Sequence, residues 1–214
     1  MKILNSELEK QLEEVFQQLT DDVTIALFTD KSSCETCAET KGFMEELLPL
    51  SSKLHLVNYD LEDNSDLAEQ YNVKMVPSLV LLDKDLNYKG VKFNGIPAGH
   101  EINSFIPALL EVSGTLSELP EDLTTEIQSI DKPVNIKVFV TLACPHCAGA
   151  VQKAHKLALM NSNVDAEMIE AQTFNEISSK FNVSGVPKIV INDTYELVGN
   201  QPIQAFLDEI KKVS

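Results

Sequence analysis

The chain has 214 residues, of which 43% are hydrophobic and 23% charged. This is enough apolar material for one large or two small hydrophobic cores, and the composition excludes a disordered or collagen-like chain. Its 17 basic residues are all lysine and stand against 33 acidic residues, giving a net charge of −16. A chain this acidic lacks the basic surface that neutralises phosphates, so we expect it to bind neither nucleic acid nor an anionic membrane.

The hydropathy of the chain bears on its compartment. No apolar run approaches the roughly 18 residues of a membrane span. The Glu-rich segment 1–16 has no apolar stretch typical of a secretory signal. We therefore expect a cytoplasmic protein. In a reducing cytosol, four cysteines are more typical of redox or metal chemistry than of a structural disulfide framework.

In chain order, the first predicted element is an amphipathic helix with apolar residues at helical spacing between Leu8 and Leu19. A β-branched and aromatic strand follows at 23–29 and runs into the sequence Cys34-Glu35-Thr36-Cys37. The remaining predicted elements of this half are a helix at 34–48, a strand at 54–59, a helix at 65–71, a strand opened by Pro77, a strand at 91–93 and a helix at 100–111.

The second half repeats this order with a second pair, Cys144-Pro145-His146-Cys147, 110 residues after the first. Residues 71–81 and 181–191 are identical at 5 of 11 positions under the same offset, and 43 residues separate the first cysteine from Pro77 or Pro187 in each half. The predicted elements of this half are a helix at 123–130, strands at 134–141 and 166–169, helices at 144–160 and 175–181, a strand opened by Pro187, a strand at 196–198 and a helix at 203–212.

The repeat predicts an α/β chain of two tandem units, each with a central mixed four-stranded sheet flanked by helices. The small, polar segment 113–120 contains Gly114 and Pro120 and is the best place for a boundary. We therefore place the units at 1–117 and 118–214.

Each cysteine pair lies at a predicted strand-to-helix junction. Thiol–disulfide exchange needs a thiolate that attacks and a second thiol that resolves the mixed disulfide. Two cysteines three residues apart at a helix start supply both, because the free N–H groups and the positive dipole end stabilise a thiolate. Pro145 suits the first turn of such a helix. We predict that Cys34, Cys37, Cys144 and Cys147 are redox-active, with the first of each pair as nucleophile.

A zinc site is the structural alternative for the same cysteines. Two Cys-x-x-Cys pairs can form a Cys₄ site, but the segment between Cys37 and Cys144 is far longer than the usual spacing of about 15–20 residues. A vestigial or purely structural role for the pairs is a further alternative. The duplicated strand-to-helix context favours redox chemistry, with no metal bound.

The order of elements and the positions of the prolines resemble the thioredoxin fold. The tandem arrangement is similar to the protein disulfide oxidoreductases, also called glutaredoxin-like, and the resemblance covers nearly the whole chain. It implies that Pro77 and Pro187 are cis-prolines facing the cysteines and that the backbone of Val76 and Val186 binds the substrate strand. The alternative is that both prolines merely open strands.

The sequence departs from that resemblance at the position of the proton acceptor for the resolving cysteine. Thioredoxins usually carry a buried Asp six residues before the first cysteine, and here Phe28 and Val138 occupy those positions. Asp60 and Glu170, at the ends of the second strands, are weak candidates. We expect both to be solvated, because carboxylates are rarely buried.

The two pairs differ in their neighbours. Glu35 places a carboxylate beside Cys34, whereas His146 places a potential cation beside Cys144. A nearby carboxylate raises the pKa of a thiol, and a nearby imidazolium lowers it. The alternative is that His146 takes no part in the chemistry. Residues 1–118 carry 9 Lys and 21 acidic residues, net −12, and residues 119–214 carry 8 and 12, net −4. We predict that Cys144 is the principal nucleophile and that its disulfide is the more oxidising.

These features predict a protein dithiol–disulfide oxidoreductase that acts on protein disulfides. The resemblance implies a flavoprotein of the thioredoxin-reductase kind as electron donor and a peroxiredoxin as a client. The chain has no Gly-rich dinucleotide fingerprint, so we expect it to bind no flavin or nicotinamide and to use its disulfides as its redox groups.

Two other functions are open. One is an electron relay resembling the N-terminal module of the alkyl hydroperoxide reductase flavoproteins, in which one cysteine pair is lost; two retained pairs and an end at Ser214 favour the free-standing family. The other is a metal-binding or chaperone module without redox turnover.

Overall fold

The computed structural model describes residues 3–213; residues 1, 2 and 214, which belong to the predicted units and to the predicted chain end, lie outside the described part. The first unit contains α1 (Ser6–Phe16), β1 (Val23–Thr29), α2 (Cys37–Leu47), a 3₁₀ helix (Leu48–Leu50), β2 (Leu54–Asp60), α3 (Ser65–Gln70), β3 (Ser78–Leu82), β4 (Tyr88–Asn94), a 3₁₀ helix (Gly99–Glu101) and α4 (Ile102–Val112). The second contains α5 (Glu121–Gln128), β5 (Val134–Val140), α6 (Cys147–Met160), β6 (Val164–Glu170), α7 (Asn175–Lys180), β7 (Lys188–Ile191), β8 (Tyr195–Val198) and α8 (Ile203–Ile210).

The order of helices and strands agrees with the prediction, and the boundaries differ by a few residues. The difference that matters for the site is at α2 and α6, which begin at the second cysteine of each pair, three residues later than predicted. The N–H of Thr40 donates to the carbonyl of Thr36 (2.9 Å) and closes the first turn of α2. The first cysteine therefore lies in the turn that precedes the helix.

The eight strands within residues 3–213 belong to one sheet, in the order β2-β1-β3-β4-β6-β5-β7-β8. β1 is parallel to β2 and antiparallel to β3, and β5 has the same relation to β6 and β7. The predicted fold of two thioredoxin-like units is thus confirmed. The parallel pairing of β4 with β6 joins the two four-stranded sheets edge to edge, which the sequence did not predict.

The two faces of the sheet are covered unequally. Helices α1, α2, α4, α5, α6 and α8 pack on one face and enclose the main hydrophobic core, which is continuous through both units. Only smaller clusters lie under α3 and α7 on the other face. Among the helices of residues 3–213, none is both long and apolar enough to cross a membrane.

Side chains of β4 alternate between these two faces at the junction of the units. Val91 and Phe93 belong to the main core, whereas Lys92 and Asn94, which alternate with them, are buried polar residues. The amide of Asn94 donates to a carboxylate oxygen of Glu167 on β6 (2.7 Å). The backbone ladder and a buried side-chain hydrogen bond therefore hold the units together.

Candidate active site at one edge of the sheet

Both cysteine pairs lie at the same edge of the sheet. β1 and β4 flank the antiparallel β3, and β4, β6 and β5 are mutually parallel, so β1 and β5 run in the same direction. The cysteines follow the carboxyl ends of β1 and β5, which are four positions apart in the strand order. At about 4.8 Å per strand, the separation is about 19 Å. The two sites thus open on one side of the molecule without touching.

This separation argues against a zinc site shared by the two pairs. Zn–S bonds are about 2.3 Å long, so sulfurs that lie on strands four positions apart cannot meet at one ion. Within residues 3–213, no three His, Cys, Asp or Glu side chains form a group that could hold a metal ion. Each pair forms its own disulfide, Cys34–Cys37 and Cys144–Cys147, with Cα–Cα distances of 5.5 and 5.6 Å.

The two cysteines of each disulfide differ in burial. Cys34 is half-buried and Cys37 is 7% exposed, whereas Cys144 is 9% exposed and Cys147 is completely buried. An incoming thiolate or disulfide therefore reaches the first cysteine before the second. Cys34 is more accessible than Cys144, a difference that the sequence did not indicate.

The helix starts are arranged alike at the two sites. Thr36 and His146 occupy the N-cap positions of α2 and α6, and among the described hydrogen bonds neither side chain caps its helix. N–H groups of a helix's first turn have no intrahelical acceptor, and they carry the positive end of the dipole. These groups remain available to stabilise a nearby thiolate.

Pro77 and Pro187 come directly before β3 and β7. The Val76–Pro77 and Val186–Pro187 peptide bonds are both cis. The Sγ of Cys144 is 3.8 Å from the carbonyl oxygen of Val186. A cis X-Pro bond is uncommon in folded proteins. Each valine and proline thus opens the strand, β3 or β7, that runs beside the strand leading to the cysteines.

A cleft of about 560 Å³ surrounds Cys34, and both units form it. Val76 lines this cleft, so the first cysteine and the residue before the cis-proline share one opening. Leu142 and the segment 170–175 of the second unit supply the opposite wall. The first site is therefore a composite of both units.

The predicted solvation of the strand-end carboxylates is wrong for Glu170, which is 3% exposed. One of its oxygens accepts hydrogen bonds from the N–H (2.6 Å) and the hydroxyl (2.7 Å) of Thr173. The carboxylate organises the loop that walls the Cys34 cleft, and burial is possible because these donors replace water. The side chain of Asp60 is largely buried as well, at 13% exposed, and its Oδ2 lies 3.7 Å from the Lys31 ammonium.

A buried carboxyl that the sequence analysis missed belongs to an element that contacts α6. Glu101, in the 3₁₀ helix before α4, is fully buried and accepts a hydrogen bond from the Ser104 hydroxyl (2.5 Å); its Oε1 has no partner among the described residues. Burial raises its pKa to about 7. This 3₁₀ helix contacts α6, and the N–H of His100 donates to the carbonyl of Leu142 (2.9 Å), two residues before Cys144.

No local signal marks Glu101, because its setting depends on the contact between the units. The positions that the resemblance singled out, Phe28 and Val138, are completely buried apolar residues. His146 is exposed at the N-cap of α6, next to the second site. His155, in contrast, is buried on α6 with Nε2 3.2 Å from the carbonyl oxygen of Lys92, and desolvation lowers its pKa to about 4.

Comparison with known proteins agrees with this architecture. A thioredoxin family model matches residues 5–108, and a thioredoxin-domain model matches residues 134–212. The F subunit of alkyl hydroperoxide reductase from Staphylococcus aureus (strain Mu50) is 26% identical over 208 residues, which are 97% of this chain. The chain spans 38% of the length of that relative.

Two solved structures are similar over nearly the whole chain. The alkylhydroperoxide reductase AhpF of Enterococcus faecalis superposes with a TM-score of 0.92 and 30% identity, covering 98% of this chain and 100% of that one. A protein disulfide oxidoreductase of Aeropyrum pernix has a TM-score of 0.89 and 30% identity, covering 99% and 94%. The chain therefore belongs to the thioredoxin-fold oxidoreductase family of tandem units that includes these two proteins.

Proposed function

We propose that this chain is a protein dithiol–disulfide oxidoreductase. The observation that carries the proposal is the repeated geometry of its cysteine pairs. Each pair forms a disulfide at the start of a helix, with a first cysteine that is more exposed than the second and a cis-proline just before the neighbouring strand. A structural disulfide needs no accessible sulfur, whereas exchange with a substrate does.

The reaction uses both thiols of a reduced pair. The thiolate of Cys34 or Cys144 attacks one sulfur of a substrate disulfide, forming a mixed disulfide and releasing one substrate thiolate. The second cysteine, Cys37 or Cys147, then attacks the first, and the second substrate thiol leaves as the protein disulfide closes. Two electrons pass to the substrate, and the two protons of the protein dithiol end on the substrate thiols. Val76 and Val186 would hold the substrate strand beside the attacked sulfur.

Cys144 is the principal nucleophile in this proposal. Its segment 141–149 has His146 and no carboxylate, whereas segment 30–39 around Cys34 has three acidic residues and one lysine. A thiolate is disfavoured by nearby negative charge and favoured by an imidazolium. The greater exposure of Cys34 favours attack by Cys34 instead. The ranking of Cys144 above Cys34 therefore requires that thiolate formation affects the rate more than solvent exposure does.

Glu101 is proposed as the proton acceptor for the resolving cysteine of the second site. It lies in the 3₁₀ helix that contacts α6, and its pKa of about 7 lets it exchange a proton near neutral pH. It takes the place of the Asp that thioredoxins carry on the strand before the cysteines.

The proposed setting is the cytoplasm, where a flavoprotein donor of the thioredoxin-reductase kind would return electrons to the two disulfides. The cysteine pairs are the redox groups that this reaction requires, so the proposal includes no bound flavin, nicotinamide or metal. A peroxiredoxin is the proposed client among protein disulfides.

Insulin reduction with dithiothreitol tests the function and the ranking together. We expect Cys144→Ser to lower the rate about tenfold and Cys34→Ser to retain most of it, because the site with the larger thiolate fraction carries the flux. A variant with all four cysteines changed to serine gives the background. An inert wild-type protein would contradict the function. Equal losses in the two variants, or a thiol titration in which Cys34 ionises at the lower pH, would contradict the ranking.

An electron relay to a peroxiredoxin is the second candidate, favoured by the similarity of 97% of this chain to the F subunit of alkyl hydroperoxide reductase. The test combines this chain with a separately purified flavoprotein donor, a peroxiredoxin and peroxide, and follows nicotinamide oxidation. Flux that requires this chain and its Cys144 supports the relay. Insulin reduction without peroxide flux supports the general oxidoreductase.

A further inference from the structure

The cleft around Cys34 is lined by side chains of one sign of charge. Its charged lining residues are Glu35 and Glu39 from the first unit and Glu170 from the second. Glu35 and Glu39 are exposed, and Glu170 is buried in the wall. No lysine is among the described residues that line it. A substrate that enters this cleft therefore meets only carboxylates as formal charges.

The nearest lysine in the segment before Cys34 does not offset this charge. The ammonium of Lys31 is in ion pairs with Asp60 (3.7 Å) and Asp63. Asp30 is nearby as well, and its carboxylate accepts hydrogen bonds from Ser32. The surroundings of the first site are therefore negative beyond the lining of the cleft.

The second site lacks this feature. Between residues 141 and 149, His146 is the one ionisable side chain apart from the cysteines. Glu101 lies close to this segment but is fully buried, with one oxygen held by Ser104. The segments that carry the two cysteine pairs, on one edge of one sheet, thus differ in charge.

We infer that the first site is selective for disulfide substrates that carry positively charged side chains next to the cysteine, and that the second unit supplies one wall of the cleft that selects them. This inference rests on the proposed function, because it names the substrate class of a site proposed to exchange disulfides. The exchange itself is the two-step reaction given above, with Cys34 attacking and Cys37 resolving.

The expected size of the preference follows from exposed electrostatics. A pair of exposed opposite charges contributes about 0.2–1 kcal/mol. Two or three carboxylates around one lysine-flanked disulfide therefore predict a preference of about three- to tenfold over a glutamate-flanked one. Salt screens such interactions, since the Debye length falls to about 3 Å at 1 M ionic strength.

The experiment isolates the first site in the full chain by Cys144→Ser with Cys147→Ala, because alanine suits the buried position of Cys147. The protein is reduced with dithiothreitol, freed of it, and mixed with two fluorescent disulfide peptides that differ only in lysine or glutamate beside the cysteine. We expect the lysine peptide to be reduced about three- to tenfold faster at low salt, with the ratio approaching one at 1 M NaCl. The same comparison in the wild-type chain should give a smaller preference of the same sign.

Two sets of variants assign the preference to the cleft. Glu35→Gln with Glu39→Gln should lower the rate ratio, whereas the matched change of Glu13 and Glu14 to glutamine, exposed residues of α1, should leave it unchanged. Gln172→Lys, an exposed lining residue of the second unit, should lower it across the unit boundary, and Gln17→Lys is its control. The ratio is the readout because a change at Glu35 also alters the reactivity of Cys34 toward every substrate.

The outcomes separate this inference from the proposed function. Equal reduction of both peptides at low salt overturns the selectivity and leaves the oxidoreductase standing. A preference that Gln172→Lys and Gln17→Lys change equally overturns the role of the second unit. Failure of the reduced wild-type chain to reduce either peptide or insulin overturns the proposed function and the inference with it.

Discussion

At the scale of single residues, burial produces different chemistry in two carboxyls of the same kind. The carboxylate of Glu170 accepts hydrogen bonds from the N–H groups of Gln172 and Thr173 and from the Thr173 hydroxyl, so its charge is solvated by the protein. Glu101 has one donor, Ser104, and desolvation raises its pKa to about 7. The first carboxylate organises a loop, and the second can exchange protons near neutral pH.

The raised pKa of Glu101 makes the stability of the fold depend on pH. A carboxyl whose folded pKa is above its unfolded value of 4.5 binds more protons in the folded state than in the unfolded state. The free energy of unfolding therefore falls as pH rises from about 4.5 to about 7, and it stays constant above that range. The full loss corresponds to about 3 kcal/mol, at about 1.4 kcal/mol per pKa unit. Glu101→Gln should therefore be more stable than wild type at pH 8, and the gain should vanish near pH 4.5.

Urea denaturation at pH 4.5, 6 and 8 measures this effect. Glu118→Gln, in the segment between α4 and α5, is the control with the same change of charge. If Glu101→Gln raised the free energy of unfolding by the same amount at all three pH values, the carboxyl of Glu101 would not titrate in this range. In the insulin assay, Glu101→Gln should lower the rate above pH 7 and leave it little changed below pH 6, where the wild-type carboxyl is protonated.

At the scale of elements, the start of α2 positions the first site, and a single substitution in that helix should raise its stability. Gly42 lies in the interior of α2, and a methyl group built on its Cα meets nothing within 4 Å. Glycine in a helix interior costs about 0.5–1 kcal/mol relative to alanine, because it loses more backbone entropy on folding.

Gly42→Ala should therefore raise the free energy of unfolding by about 0.5–1 kcal/mol without altering the cysteine pair. Gly114→Ala is the contrasting change, because Gly114 follows α4 with a φ of +107° and alanine there is strained. Denaturant midpoints of the two variants measured side by side should shift in opposite directions. A loss of stability in Gly42→Ala would show that this position is crowded.

At the scale of the whole molecule, the pairing of β4 with β6 makes the two units one body. Gly90 permits the close approach at this junction. Its φ is +78°, and a Cβ at this position would lie 2.4 Å from the carbonyl oxygen of Val164, which begins β6. A side chain here would push the strands of the two units apart.

Gly90→Ala should lower the free energy of unfolding by about 2–4 kcal/mol, because the backbone conformation and the clash both oppose alanine. Gly185→Ala is the matched control, since a Cβ there meets nothing within 4 Å. Denaturation of both variants, followed by far-UV circular dichroism, makes the comparison. Equal denaturation midpoints for Gly90→Ala and Gly185→Ala would mean that β4 and β6 accommodate the added methyl group without loss of stability.

The repeat, the order of the elements and the cysteine chemistry could be predicted because each has a local signal. Helical and strand periodicity, the Cys-x-x-Cys spacing and the 110-residue offset are all visible along the chain. The predicted starts of α2 and α6 lie three residues before the observed ones, because hydrogen bonding, and not the motif, decides where a helix begins.

The sequence by itself determined two thioredoxin-like units and the chemical difference between Glu35 and His146 beside their cysteines. Only the tertiary structure decided that β4 pairs with β6, that Glu170 is buried, and that the 3₁₀ helix carrying the buried Glu101 contacts α6 of the other unit. The reason is physical: periodicity is a property of neighbours in the chain, whereas burial and edge pairing depend on surfaces that meet only after both units have folded.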